Sequence, residues 1–352
     1  MENLLIVESP NKAKTIRQWL PKDKWNVFAS NGHIKNLPKK QYSISLDNNK
    51  VNAKWEILPE KKKLIEQLRE LISNSSKVYI GTDDDREGER IALDLIEHFK
   101  IKDYYRVLFH EITKENIVDS LKNGLYIDNN RTNSQKARRV IDRIIGYPIS
   151  SAIRDKFKKE NVATDEELKS FGIGRVTAAA INILVQNERR IQQFIPKKFK
   201  KIYISYIHEG LQFSVNNGMK FYEEHYEELG FLHTMTTNPE IDHVVEKYKQ
   251  DTRDAAPYPP LITSRILRNL NYLYHYETKK TEAILQKLFE GVEIYNEKEQ
   301  KMERVGLITY HRTDSFNISE KAIDEIRECL GERFGKEYVA DSKRVFKNKN
   351  AN

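Results

Sequence analysis

Residues 82–89, TDDDREGE, place five carboxylates within eight positions of a chain whose formal net charge is +8. Asp83, Asp85 and Glu87 are spaced to gather oxygen atoms around one hard cation, and Mg²⁺ prefers a few carboxylates together with water and phosphate. The alternative is an acidic helix start, because carboxylates near a helix N-terminus are favoured by about 0.3–1 kcal/mol each. The spacing alone leaves both interpretations open.

Two other positions carry groups suited to phosphate chemistry. Glu8 follows an aliphatic run, and a carboxylate that faces a metal cluster across a sheet can transfer protons beside a phosphate. Tyr310 and Arg312 combine a phenol, whose free pKa is about 10, with a guanidinium that can hold phosphate oxygens. The chain has 18 tyrosines, so a packed strand tyrosine is the alternative for Tyr310, and an ordinary loop carboxylate is the alternative for Glu8.

Short strands must position these groups. The apolar run 4–7 predicts a buried strand that ends in a loop and is followed by a helix at 12–20. The apolar run 78–80 predicts a second strand of this kind, with a helix that starts at Glu87. Two such units predict an α/β domain with a mostly parallel sheet and helices on both faces. In such a sheet the working groups lie at the carboxyl ends of the strands, where Glu8 and the acidic segment both fall.

The rest of the chain is predicted to be mainly helical with one small β-containing segment. Apolar and polar residues alternate after residue 196, and Asn217–Gly218 is a hairpin signal. The run AAPYPP at 255–260 indicates a boundary. The predicted domains are therefore 1–130, 131–195, 196–255 and 256–352.

Composition narrows the class of protein. Sixty Lys and Arg against 52 Asp and Glu favour a polyanionic partner. Cys329 is the single cysteine, which excludes an intramolecular disulfide framework or a zinc site of several cysteines within these residues and fits the cytoplasm. We find neither a signal peptide nor about 18 consecutive apolar residues, so we expect a soluble intracellular protein. No GxxxxGK[ST] motif supports use of ATP.

Four segments resemble the Toprim domain of type IA DNA topoisomerases. They are LLIVESPNKAKTI (4–16), SNGHIKNLP (30–38), YIGTDDDREGERIALDLI (79–96) and RVLFHEITKENI (106–117). The resemblance continues outside that domain and is least distinctive at 200–255. Its further segments are ARRVIDRIIGYPIS (137–150), FGIGRVTAAAINILVQNERRIQQFIPKKF (171–199), PYPPLITSRIL (257–267) and GLITYHRTDS (306–315).

The resemblance implies the roles of the reacting groups. Tyr310 would attack one DNA strand and stay linked to its 5′-phosphate, leaving a free 3′-hydroxyl that reseals the strand without ATP. Glu8 would be the general acid and base for the 3′-oxygen, and Lys12 would contact the scissile phosphate. Arg312 would stabilise the transition state.

The same resemblance implies different roles for the carboxylates of the acidic segment. Asp83, Asp85 and Glu87 would hold Mg²⁺, with the first two closest to the reaction. We expect Asp84 and Glu89 to lie behind these ligands or in solvent.

Other matched positions imply a groove for a single DNA strand, in which basic residues meet phosphates and an aromatic ring stacks on a base. The alternatives are a solvated helix face for the arginines and a structural role for the histidine. The implied DNA-binding residues are Arg138, Arg139, Asp142, Tyr147, Arg175, His33, Thr263 and Ser264.

The match also departs from the family pattern. His311 stands where many bacterial members carry methionine, and GIGRVTAAA replaces the more usual SAGRVQS. Relatives continue beyond this chain with segments that complete the ring-shaped core, so we expect an amino-terminal portion of a longer enzyme or a partner-dependent half. The expected partner is single-stranded or negatively supercoiled DNA, bound by a monomer at the nucleoid. A non-catalytic single-strand-binding module and a Toprim nuclease or primase are the alternatives.

Overall fold

The structure is a computed structural model that describes residues 2–39, 41–48, 50–216, 218–244, 246–247, 249–253, 255, 257–297, 299–344 and 346. The chain forms two compact units, of which the first comprises Met1–Arg175 with Tyr258–Asn352 and the second Val176–Pro257. The division into four domains predicted from the sequence stays a prediction.

Strands and helices are interspersed in the amino-terminal part of the chain, up to residue 106. Most of the elements after residue 113 are helices. The strands are β1 (Asn3–Val7), β2 (Trp25–Ala29), β3 (Lys35–Asn36), β4 (Ile44–Asp47), β5 (Lys50–Ala53), β6 (Glu56–Ile57), β7 (Lys77–Gly81), β8 (Tyr104–Arg106), β9 (Tyr203–His208), β10 (Leu211–Asn216), β11 (Val292–Asn296) and β12 (Lys301–Val305). The helices are α1 (Pro10–Arg17), α2 (Lys62–Asn74), α3 (Arg86–Phe99), α4 (Lys114–Lys122), α5 (Asn129–Lys159), α6 (Asp165–Ser170), α7 (Arg175–Gln193), α8 (Tyr226–Thr237), α9 (Thr263–Tyr274), α10 (Thr278–Glu290) and α11 (Glu320–Phe334). No helix in the described part of the chain is both long and apolar enough to cross a membrane.

A parallel sheet with the strand order β2-β1-β7-β8 forms the centre of the first unit. Its central strand β1 is apolar on both faces, as expected for a buried parallel strand. Leu5 and Val7 pack in one core with residues of α1, whereas Leu4 and Ile6 pack in the other with residues of α2 and α3. Each fully buried aliphatic side chain contributes about 1.5–3 kcal/mol. The predicted parallel sheet with helices on both faces is confirmed.

Helices begin directly where the two central strands end. Ser9 caps α1 by accepting a hydrogen bond from the Lys12 amide, and Pro10 occupies the first helical turn, where its missing N–H costs nothing. Asp85 caps α3 in the same way through the Gly88 amide. The loops that follow β1 and β7 are therefore short and fixed by their own side chains.

The segment with the predicted nucleophile is held against the sheet by backbone contacts. Residues 306–319 form neither helix nor strand, so the alternative of a strand tyrosine is not what the structure has. The Gly306 amide donates to Ile112 O at 3.0 Å, and the Tyr310 amide donates to His110 O at 2.8 Å. Phe289, at the end of α10, is fully buried in the core that also contains α1. These contacts fix the height of Tyr310 above the carboxyl edge of the sheet.

The second unit contains the small β segment that the sequence predicts. Strands β9 and β10 pair antiparallel, and the connection is Glu209–Gly210, with φ angles of 49° and 77°. Two central residues with positive φ suit a tight hairpin turn. The hairpin is thus confirmed but its turn is not Asn217–Gly218, of which Asn217 lies outside the described residues.

Replacing Gly88 by alanine should destabilise the acidic loop. A Cβ at this position would lie 2.2 Å from Asp83 O, whereas one at Gly172 would meet nothing within 4 Å. We expect Gly88→Ala to lower the free energy of unfolding by about 1–3 kcal/mol, as other overpacked sites do. Urea unfolding measures the change, and Gly172→Ala is the matched control that should not lose stability. Equal stability of the two variants would contradict the close approach.

Candidate active site

Glu8 and the acidic loop lie side by side at the carboxyl edge of the parallel sheet. The last residues of β1 and β7 are register partners, so the chain leaves both strands at the same level. Burial and, after it, the charge of Asp83 raise the pKa of Glu8 to about 7, and the charge of Asp85 adds to this shift. Lys12 opposes it. A pKa near neutrality allows Glu8 both to give and to take a proton.

Lys12 and Asp83 form a buried ion pair. Lys12 lies in the first turn of α1 and donates from Nζ to Asp83 Oδ1, and the two side chains are only 1% and 6% exposed. The ammonium nitrogen also lies 5.1 Å from the centre of the Phe289 ring, which adds a cation–π contact. Each charge therefore has an internal partner. An incoming phosphate would have to replace Asp83 as the partner of Lys12, and an incoming cation would have to replace Lys12 as the partner of Asp83.

The Tyr310 hydroxyl donates a 2.6 Å hydrogen bond to Asp85 Oδ2. The Oδ1 atom of the same carboxylate accepts from the Gly88 amide at 2.7 Å, so Asp85 both caps α3 and holds the phenol. The Tyr310 ring packs against Phe289 with 5.2 Å between ring centres. Burial and the hydrogen bond to Asp85 raise the pKa of Tyr310, against the opposing charge of Arg312. The phenol is therefore held as a neutral hydrogen-bond donor.

Arg312 lies against the same carboxylate and is open to an incoming anion. Its Nη1 atom is 3.8 Å from Asp85 Oδ2, and its side chain is 54% exposed. The loop that carries it is held by Thr263 in the first turn of α9, whose hydroxyl donates to His311 O at 2.7 Å and accepts from the Thr313 amide at 3.0 Å. The Thr263 hydroxyl thus positions the loop that carries Tyr310 and Arg312. Its predicted contact with phosphate stays a prediction.

Glu87 has partners other than Asp83 and Asp85. Its Oε1 atom lies 3.0 Å from His33 Nε2 and 3.0 Å from Arg139 Nη2. The hydrogen bond with His33 lowers the pKa of Glu87 to about 2, although burial opposes this. Among the described residues, no three His, Cys, Asp or Glu side chains are grouped as a metal site would require. Joint binding of one cation by all three predicted ligands is not seen in this arrangement and stays a prediction.

His33 is held between two carboxylates. Its Nε2 atom contacts Glu87, and its Nδ1 atom lies 3.9 Å from Asp94 Oδ2. Burial would lower the pKa of His33, but the neighbouring carboxylates of Asp94 and Glu87 raise it above the ordinary value. Arg90 donates to the other oxygen of Asp94 at 2.7 Å. These contacts suit a structural role, and contact of His33 with DNA stays a prediction.

The two remaining carboxylates of the acidic segment are tied to neighbouring elements. Asp84 accepts from Arg131 Nη1 in the first turn of α5. Glu89 is 3% exposed and accepts from Arg106 Nε at 2.8 Å. Glu89 therefore does not lie in solvent, because a buried arginine neutralises it.

Arg106 is a buried residue of the site that the sequence motifs did not single out. Its guanidinium is 1% exposed and donates to backbone carbonyls at the end of β7 and in the acidic loop. The sequence signal that could have found it is a charged residue between Tyr105 and Val107 in a short apolar strand. A charge in such a position requires buried partners.

The predicted DNA-binding residues lie mostly along α5. Asp142 accepts from Arg175 Nε at 3.0 Å, and its other oxygen lies 3.8 Å from Arg138 Nε. Both arginine side chains are about half exposed, at 44% and 53%. Tyr147 is half-buried on the same helix, and Ser264 is exposed at the start of α9. The structure brings Arg138, Asp142 and Arg175 together, and their contact with DNA stays a prediction.

Two family profiles account for nearly the whole chain. The profile described as DNA topoisomerase matches residues 126–352, more than half of the chain, and the profile of the Toprim domain matches residues 3–112. The chain belongs to the type IA DNA topoisomerase family. The carboxylates of the site lie in the Toprim match and Tyr310 lies in the other match, so residues from both matched regions meet at one site.

Relatives of the topoisomerase family cover the chain end to end. DNA topoisomerase 1 of Campylobacter jejuni is 33% identical over 99% of this chain and 48% of its own length. The Aquifex aeolicus protein of the same name is 35% identical over 97% of this chain and 58% of its own. Full-length topoisomerase I from Thermotoga maritima superposes with a TM-score of 0.76 at 30% identity, over 96% of this chain and 54% of that one. The chain thus spans about half the length of the relatives it matches.

The chemistry of the donors at the sheet edge suits a divalent cation, although the described side chains are not grouped around one point as a bound ion requires. The Toprim domain binds metal in topoisomerases, and Asp83, Asp85 and Glu8 offer oxygen atoms at one edge. Their mutual repulsion contributes to the raised pKa of Glu8, and a cation between them would relieve it. Hard oxygen donors of this kind suit Mg²⁺.

Replacing Glu8 by glutamine should change how stability depends on pH. Because folding raises the pKa of Glu8 from 4.5 to about 7, the wild-type protein loses stability as the pH rises through this interval. In EDTA we expect Glu8→Gln to be more stable than wild type at about pH 8, by up to about 3 kcal/mol, and the difference to vanish near pH 4.

Urea unfolding of both proteins across this pH range measures the effect. Glu56→Gln, at an exposed position of β6, is the control. Its free energy of unfolding should change with pH in the same way as that of wild type. If the free energy of unfolding of Glu8→Gln also followed that of wild type across the pH range, the pKa of Glu8 would not be raised.

Proposed function

We propose that this chain contains the centre at which a type IA topoisomerase cleaves and rejoins one strand of DNA. The observation that supports it is the hydrogen bond between the Tyr310 hydroxyl and Asp85, residues 225 positions apart in the chain. Glu8, Lys12 and Arg312 surround that contact with an acid, an ammonium and a guanidinium. These are the groups that phosphodiester transfer requires.

In the proposed reaction the Tyr310 oxygen attacks the phosphorus, and the bond from phosphorus to the 3′-oxygen breaks. The phenol proton leaves along the hydrogen bond to Asp85 Oδ2, and Glu8 gives a proton to the departing 3′-oxygen. Rejoining reverses both transfers. Because one phosphodiester replaces another, the step needs neither ATP nor a redox partner. The pKa of Glu8, raised to about 7, suits a group that must act as acid and then as base.

Lys12 and Arg312 are the proposed phosphate ligands. Arg312 is half exposed beside Asp85, so a phosphate can approach its free N–H groups. Lys12 is buried and bound to Asp83, so it reaches a phosphate only if Asp83 gains another positive partner. Phosphate and cation binding should therefore help each other, since each takes over one member of the ion pair.

Mg²⁺ is the proposed cation, and Asp83 and Asp85 are its proposed ligands. When bound, the ion supplies positive charge that lets the acidic edge accept a DNA phosphate. Glu87 would join them only after leaving His33 and Arg139, the partners it now contacts.

DNA is the proposed substrate, single-stranded or negatively supercoiled, acted on at the nucleoid by a monomeric protein. The basic residues of α5 and Arg175 support a groove for one strand, as the partly exposed arginines beside Asp142 are suited to phosphates. Passage of a second strand and relaxation of supercoils are proposed for the whole enzyme, of whose relatives this chain spans about half the length.

A covalent protein–DNA adduct is the expected product when the chain meets single-stranded DNA and Mg²⁺. The label should stay with the protein when it lies on the 3′ side of the break, since Tyr310 keeps the 5′-phosphate. Tyr310→Phe should abolish the adduct, whereas Tyr272→Phe, at a side chain that is 80% exposed, should not. Denaturing gels of oligonucleotides labelled at either end make the measurement.

An adduct that survives in Tyr310→Phe would reject the proposed nucleophile. If wild type forms no adduct but still binds single-stranded DNA, the chain is a binding module rather than a cleaving one.

Removing the Tyr310 hydroxyl should also strengthen cation binding. The phenol now occupies Asp85 Oδ2, and a hydrogen bond to a charged group contributes about 1.5–3 kcal/mol. We expect Tyr310→Phe to bind Mn²⁺ about tenfold more tightly than wild type without DNA, because 1.4 kcal/mol corresponds to a factor of ten. Electron paramagnetic resonance of free Mn²⁺ gives the affinity. Tyr272→Phe should match wild type, and unchanged affinity in Tyr310→Phe would contradict competition at Asp85.

A further inference from the structure

A buried arginine fixes the backbone of the acidic loop. Arg106 ends β8, and its side chain is 1% exposed. Its Nη1 atom donates to Thr82 O at 3.0 Å and Val107 O at 2.7 Å, with Ile80 O at 3.1 Å, and its Nη2 atom donates to Asp83 O at 3.0 Å. One planar guanidinium thus holds the chain from the end of β7 into the loop.

Glu89 completes this arrangement and extends it to α5. Its Oε2 atom accepts from Arg106 Nε at 2.8 Å, and its Oε1 atom accepts from the Asp128 amide at 2.7 Å. Asp128 is the residue that caps α5. The buried pair therefore connects the acidic loop to the start of the helix that carries the predicted DNA-binding arginines.

Contacts with α3 hold the other side of the loop. The Thr82 hydroxyl donates to Gly88 O at 2.7 Å, and the Asp85 carboxylate accepts from the Gly88 amide at 2.7 Å. These bonds tie the loop to its own helix, whereas Arg106 ties it to the neighbouring strand β8. The loop is thus restrained from two elements.

The acidic loop is restrained through its backbone carbonyls, which leaves its carboxylates available. Glu8, Asp83 and Asp85 carry like charges at the sheet edge. The Lys12 ammonium already binds Asp83, and a second cationic side chain on these carboxylates would remove the remaining charge that a metal needs. Arg106 instead binds carbonyl oxygens, and Glu89 neutralises it, so the loop is held while the carboxylate charge of the edge is left in place.

We propose that Arg106 and Glu89 are positioning residues for the cation site, which keep the carboxylates of Asp83 and Asp85 facing Glu8. The inference rests on the proposed function, because it assumes that these carboxylates bind a divalent cation. Both side chains are buried, so neither is proposed to contact the cation or the DNA. They act through the carbonyls of Ile80, Thr82 and Asp83.

The chain offers a matched control for a buried arginine. Arg90 is also buried on α3 and paired with a buried acid, donating to Asp94 at 2.7 Å, and it packs on the Trp55 ring at 4.9 Å. Its described contacts involve no carbonyl of the acidic loop. Arg90→Lys and Arg106→Lys therefore make the same chemical change in similar surroundings, and in both cases lysine keeps the charge but lacks the planar fork.

Mn²⁺ binding to the chain without DNA, followed by electron paramagnetic resonance, tests the proposal, with thermal unfolding recorded in parallel. We expect Arg106→Lys to lose at least tenfold in Mn²⁺ affinity and Arg90→Lys to stay within about twofold of wild type. Loss of stability in both variants does not affect this comparison. Wild-type affinity in Arg106→Lys, or equal losses in the two variants, would overturn the inference.

Glu89→Gln supplies a second measurement that holds if Arg106→Lys does not fold. Its side chain has the same shape and can still accept from the Asp128 amide, but it no longer neutralises Arg106. We expect its Mn²⁺ affinity to fall severalfold, and an unchanged affinity would overturn the inference. A wild-type chain that binds no Mn²⁺ would instead reject the proposed cation site itself, and the positioning role with it.

Discussion

Parallel pairing of β1 with β7 places Glu8 beside Asp83 and Asp85, where burial makes like charges costly. The pKa of Glu8, raised to about 7, reflects that cost. The first unit offsets it with internal partners, an ammonium from Lys12 on Asp83 and the hydroxyl of Tyr310 on Asp85. The groups proposed to act on DNA are thus the groups that stabilise the edge.

The acidic segment divides its carboxylates among different tasks. Asp85 caps α3 with one oxygen and accepts the Tyr310 hydroxyl with the other. Asp84 and Glu89 bind arginines and join the loop to α5 and β8. Glu87 is paired with His33 and Arg139, so a proposed cation ligand is bound to a proposed DNA ligand. A DNA strand that engaged Arg139 would remove one of the two partners of this carboxylate and leave its contact with His33 in place.

A small set of contacts holds the segment of Tyr310, the proposed nucleophile, against the Toprim domain. Phe289 is fully buried in the core that contains α1. Arg304 on β12 donates from Nε to Thr15 Oγ1 at 3.1 Å, and its amide donates to Gln18 at 3.2 Å. One buried ring and several hydrogen bonds hold Tyr310 at the edge.

The sequence by itself determined the strands that end at Glu8 and at the acidic segment, the helices after them, and the family to which the chain belongs. Those features depend on local patterns of apolar residues and on motifs, which neighbouring residues encode. The resemblance implied separate roles for Tyr310 and Asp85, and only the tertiary structure shows that they are hydrogen-bonded. The tertiary structure alone decided that Glu87 pairs with His33 and that Arg106 holds the loop. These contacts join residues far apart in the chain, and burial decides which charge pairs with which, so no local spacing could specify them.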